Sequence, residues 1–174
     1  MSIYKLETEL FGEIEVTQND FYTDIDGSII HYKSYKLVLN EKEQSVNLCL
    51  FNVFTDDNIK TIEDMLNHIP QMYEMGKKAI FDGRDSDETI KEFIDFHLEE
   101  LDSVNEAFGF DSNDKMSSEM LIEQLELRSI AIHMDDDNTP DCALDFMVPE
   151  GYTDELLVVY FNSHQEICNI TNES

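Results

Sequence analysis

The residues of this chain best suited to chemistry lie in one stretch, "HMDDDNTPDCALDF", running from His133 to Phe146. It contains an imidazole, the carboxylates Asp135, Asp136, Asp137, Asp141 and Asp145, and the thiol of Cys142. In an extended strand His133 and Asp135 share a face, which would start a metal site if Asp145 or His164 came in from a neighbouring strand. Against that, successive aspartates in an extended chain point to opposite sides, and Asp, Asn and Pro are the residues that turns favour. The local expectation is a hairpin: Ile130, Ile132 and Met134 face a core before the turn, and Cys142, Leu144 and Phe146 face it after. That pattern puts Asp135, Asp136, Asp137 and Asp141 at an anionic tip, where they are candidate contacts for a partner.

A second acidic stretch, "YTDIDGSIIHYK", places Asp24, Asp26 and Gly27 at calcium-loop positions. Tyr22 and Lys33 occupy the first and twelfth positions, however, where acidic ligands belong, so the stretch fails as an EF-hand. The chain lacks GxGxxG, GxxxxGK[ST], HExxH, GxSxG and CxxC, the usual signatures of phosphate cradles, zinc proteases, elbow-type hydrolases and redox dithiols. His97 falls on an apolar helical stripe and reads as a partly buried histidine hydrogen-bonded to a neighbour. Cys49, Cys142 and Cys168 are odd in number and widely spaced, which suits buried small hydrophobes better than disulfides. No catalytic residue, metal or cofactor is assigned, and the protein reads as a non-enzyme.

Charge is the strongest compositional signal. The 174 residues contain 39 acidic and 11 basic side chains, a formal net charge of -28. A field of that sign repels nucleic-acid phosphates and anionic lipid, and it steers basic partners inward. No run approaches the roughly eighteen apolar residues of a membrane span, and the N-terminus has no basic stretch followed by an apolar segment. A cytoplasmic protein with no membrane or nucleic-acid partner is expected.

The elements that must position these residues follow from periodicity. "LFGEIEV" alternates, with Ile14 and Val16 opposite Glu13 and Glu15, as a half-buried strand does. "FYTDIDGSIIHYKSYKLVLN" and "SVNLCLFNVF" continue as an antiparallel meander, with "EKEQ" as the turn. The spacing then changes: Ile59, Ile62, Leu66, Ile69, Tyr73, Gly76 and Ile80 form a helical stripe, with Asp56 and Asp57 favouring its start through the dipole and capping. Pro70 predicts a kink or two consecutive helices. "SDETIKEFIDFHLEELDSV" predicts a helix capped by Ser86, and "SSEMLIEQLEL" a shorter one capped by Ser117 or Ser118. Strand patterns return in "LELRSIAIHM", "DCALDFMV", "DELLVVYF" and "HQEICNI", and "ELLVVYF" is apolar on both parities, as in a strand covered on both sides. The expected fold is one α+β domain over residues 1–174: an antiparallel sheet, or two small sheets, from the N- and C-terminal strands, packed against two to four central helices. An exposed edge strand would permit a homodimer.

The segments "LFGEIEV" and "IKEFIDFHLEEL", with the C-terminal series from "LELRSIAIHMDDD" to "NITNES", resemble a family of small acidic bacterial proteins of unknown function, similar to the immunity proteins of polymorphic toxin systems. The resemblance spans nearly the whole chain and carries no functional residue with it. It implies a bacterial, cytosolic domain that binds a protein, and basic toxins would suit the charge. The reading is therefore a protein-binding module, an immunity-type inhibitor of a basic toxin or other basic partner. The alternatives are a carboxylate-rich metal-assisted hydrolase, or a structural or regulatory domain whose acidity serves only solubility.

Overall fold

The computed structural model describes residues 2–17, 22–24, 27–51, 55–100, 116–134, 137–149 and 153–174. Strands β1 (Ser2–Thr8) and β2 (Gly12–Thr17) form a hairpin of their own. A second sheet has the order β3 (Tyr22–Asp24), β4 (Gly27–Leu39), β5 (Lys42–Phe51), β6 (Glu126–Met134), β7 (Pro140–Met147), β8 (Leu156–Phe161) and β9 (Ile167–Glu173). Helices α1 (Ile59–Asn67), α2 (Ile69–Gly83), α3 (Glu88–Asp95) and α4 (Ser118–Gln124) lie between β5 and β6 in the chain. The fold is α+β, as the alternation of periods implied.

The N- and C-terminal strand groups join as one sheet, and the join is parallel. Asn47, Leu48, Cys49 and Leu50 of β5 pair with Ser129, Ile130, Ala131 and Ile132 of β6, whereas every other ladder is antiparallel. Parallel neighbours need a long crossover, and the helical segment supplies it. Below the ladder the seam continues through side chains. Leu127 N–H donates to Gln44 Oε1 at 2.8 Å, and Lys42 Nζ meets Glu126 Oε1 at 2.5 Å.

One face of the large sheet carries Leu48, Ile130, Leu144, Phe146 and Val159, all fully buried. Helix α2 sits on this face: the rings of Tyr73 and Phe146 stack with centroids 5.7 Å apart. A Cβ built on Gly76 would lie 2.9 Å from Phe146 Cζ, so glycine is what allows this approach. The separate hairpin closes the same core with Leu6, Ile14 and Val16. It is tied to α1 where Glu63 Oε1 accepts from Glu7 N–H at 2.7 Å and Asn67 Oδ1 from Glu9 N–H at 2.8 Å. Ile14 and Val16 face inward and Glu13 and Glu15 outward, as their alternation required.

Pro70 separates two consecutive helices. It stands in the first turn of α2, where its missing N–H costs no helical bond. Ser117 caps α4, accepting from Met120 N–H at 3.2 Å. Three local expectations shift. The cap of α3 is Asp87, which accepts from Ile90 N–H at 3.1 Å, and not Ser86. At α1 the N-cap is Asn58, so Asp56 and Asp57 precede the helix and do not cap it. The β4–β5 turn is Asn40–Glu41, with φ of 49° and 62°, while "EKEQ" mostly belongs to β5. Positive φ at both central residues matches the twist of a two-residue hairpin.

The cysteines also divide. Cys49 and Cys142 are buried, but Cys168 is exposed because β9 is the edge of the sheet. Strand β8 is next to that edge: Leu157 and Val159 are fully buried on the core face, while Val158, 2% exposed, and the half-buried Tyr160 line the cavity on the opposite face, so the covering expected on both sides is complete on one only. Residues 101–115, including Leu101 and "AFGFDSNDK", lie outside the described residues, as do Asp26, Asp135 and Asp136. Among the described residues no helix is long and apolar enough to cross a membrane.

Candidate functional site

The hairpin at "HMDDDNTPDCALDF" forms with the expected parity. Ile130 pairs with Leu144, Ile132 with Cys142 and Met134 with Pro140. Asp137 lies exposed in the turn, followed by Asn138 at φ 58°. The structure separates Asp141 from this tip. Asp141 lies in β7 directly across from His133, its side chain is 14% exposed, and its Oδ1 contacts His133 Nδ1.

Strand alternation sends His133, Asp141 and Asp145 to the sheet face away from α2. There His133 and Asp145 border a cavity of about 490 Å³. The hollow exists because Ala131 and Ala143 pair with each other in register and contribute only methyl groups to its floor. Larger side chains stand around it. Phe51 of β5, His133 of β6 and Tyr160 of β8 line it, with His133 6.0 Å from Phe51 and 6.1 Å from Tyr160 between ring centroids. The acidic wall is Asp145 of β7 and Glu173 of β9.

Hydrogen bonds hold that wall in place. Ser129 Oγ donates to Asp145 Oδ2. Tyr160 Oη donates to Glu173 Oε1 at 2.9 Å, and Thr171 Oγ1 donates to the same oxygen at 2.8 Å. Burial is the main force on Asp145, raising its carboxyl above the ordinary aspartate value, and the negative Glu173 adds to that. The Ser129 bond and His133 act in the opposite direction. Tyr160 is pushed up to about 12 by burial and by its acidic neighbour, so the phenol keeps its proton as a donor.

Among the described residues no group of three His, Cys, Asp or Glu side chains could hold an ion. Asp145 lines the same cavity as His133, whereas His164 sits in the turn after β8. Elsewhere, His97 is fully buried on its apolar stripe. Its Nδ1 donates to the Phe93 carbonyl at 2.7 Å, the acceptor that the His97 N–H would take in a continuing α-helix, and the chain runs on as a π-helical turn, Phe96–Glu100. Burial lowers its pKa, against the opposite effect of the bond to the Phe93 carbonyl.

Phe51, Tyr160 and Glu173 gave no local signal in the sequence. They come from three separate strands, and only the strand order brings them beside His133. The available signal was weaker: Ser129, His133, Asp141 and Asp145 are polar at even spacing in two strands whose other parity is apolar. No family model, curated protein or solved structure matches the chain.

Proposed function

We propose that this protein is a non-enzymatic binding module for a basic protein, acting as an immunity-type inhibitor does. The observation that carries this reading is the sign of the cavity on the sheet face away from α2. Asp145 and Glu173 line it and, among the described residues, no lysine or arginine does, in a chain with net charge -28. Such a surface attracts a basic partner at long range and offers polar anchoring at short range. The bonds of Ser129 to Asp145 and of Tyr160 to Glu173 hold these carboxylates in place on that surface.

The test is capture of a partner from the native host at low salt, followed by association kinetics with the captured protein once purified. A saturable one-to-one complex with a basic protein is expected. Its association rate should fall by roughly tenfold or more between low and physiological salt while dissociation changes little. Retention of no specific protein, or a rate indifferent to salt, refutes the proposal.

A further inference from the structure

We infer that the hollow on the open sheet face receives the cationic end of a lysine or arginine side chain of that partner. The inference rests on the reading that the partner is basic, and it adds where and how one of its side chains is held. Aromatic rings and carboxylates converge on the same space. Phe51, His133 and Tyr160 present ring surface, and Asp145 and Glu173 present negative charge, above the methyl floor of Ala131 and Ala143. Ring faces attract a cation through their quadrupole, and the attraction strengthens as water is excluded.

Other occupants fit less well. An anion would meet two carboxylates and, among the described residues, no lining lysine or arginine. An apolar side chain would bury Asp145 further without supplying a counter-charge, although its carboxyl already feels the cost of burial. A cation between Asp145 and Glu173 offsets their mutual repulsion, which is a gain that neither alternative brings. The volume of about 490 Å³ lies within the range of ordinary ligand pockets and admits a long side chain end-on. Both carboxylates are oriented before any ligand arrives, Asp145 by Ser129 and Glu173 by Tyr160 and Thr171. Little ordering remains to oppose binding.

The experiment uses the isolated full chain and NMR titration with N-acetyl-lysinamide and N-acetyl-argininamide. N-acetyl-norleucinamide serves as the neutral counterpart. Saturable shifts are expected at the Ala131 and Ala143 methyls and the Tyr160 ring with the cationic amides, and none with the neutral one. Ala143→Leu fills the hollow without changing net charge and should abolish the shifts. Asp145→Asn should weaken binding by about tenfold or more, as loss of a desolvated ion contact does. Should Ala143→Leu fail to fold by circular dichroism, Glu173→Gln near the chain terminus replaces it with the same expected weakening as Asp145→Asn. Equal shifts from the norleucine amide, or affinity unchanged in the variants, overturn the inference. Tighter binding of spermidine than of a lysine-containing peptide overturns the assignment to a partner side chain. The two readings fail separately. A basic partner whose salt-dependent association survives Ala143→Leu removes the hollow and leaves the binding module, while amide binding with no basic partner retained does the reverse.

Discussion

Gly76→Ala tests how the helical layer is seated on the sheet. In an exposed helix interior, replacing glycine by alanine stabilises by about 1 kcal/mol, because the chain loses less backbone freedom on folding. Here the added methyl would stand 2.9 Å from Phe146 Cζ and 3.0 Å from Phe146 Cε2, closer than carbon atoms pack. The ring has little room to give, since Phe146 is fully buried and stacks on Tyr73. Overpacking of that kind costs about 1–3 kcal/mol. Set against the propensity gain, the net is a loss of about 1 kcal/mol, or a fall in Tm of roughly 2–4 °C at this chain length. Thermal and urea unfolding followed by circular dichroism measure it. In a Phe146→Leu background the clash is relieved, so the same substitution should become neutral or stabilising, with a coupling of about 1 kcal/mol or more. A Gly76→Ala protein as stable as the parent, or an equal effect in both backgrounds, would refute the packing argument. The result bears on the site as well, because Asp145 precedes Phe146 on the same strand and faces the cavity.

Two further outcomes are expected. Asp87→Ala should lower stability by about 1 kcal/mol through loss of the α3 cap, while Ser86→Ala should change it by a few tenths at most; equal urea midpoints for the two variants would contradict the cap assignment. Lys77 Nζ donates to the carbonyls of Ile122, Glu123 and Leu125 at the end of α4, and burial pulls its pKa from 10.5 down to about 8. Because the unfolded chain then binds more protons than the folded one between these values, the stability of the parent relative to Lys77→Met should rise with pH from about 8 to 10.5, by at most on the order of 3 kcal/mol. A difference that stays flat or falls across that window would be contrary to this account.

Much of the architecture was legible residue by residue. Ile14 and Val16 against Glu13 and Glu15 specify both a strand and its buried face, and Pro70 marks the break between two helices, because these signals depend only on neighbours along the chain. The same local logic predicts the β6–β7 hairpin and the inward parity of Ile130, Ile132, Cys142, Leu144 and Phe146. It loses precision at single positions. Ser86 and Asp87 are both competent caps, and the apolar stripe of α3 does not distinguish a start one residue earlier from one residue later. Cys168 misled for a different reason. Its strand pattern is real, but burial depends on whether a strand lies inside the sheet or at its edge.

The division follows from the range of the interactions. Periodicity, turn chemistry and composition determine the element types, the α+β class and an acidic surface, since each arises within a few residues or from a simple sum of charges. Tertiary structure alone decides that β5 meets β6 in parallel, and that Phe51, His133, Asp145, Tyr160 and Glu173 surround one hollow. Those groups lie on five strands, and their meeting depends on the order and register of those strands across the sheet. Order and register are set by how the whole core packs, and that is written in no single segment.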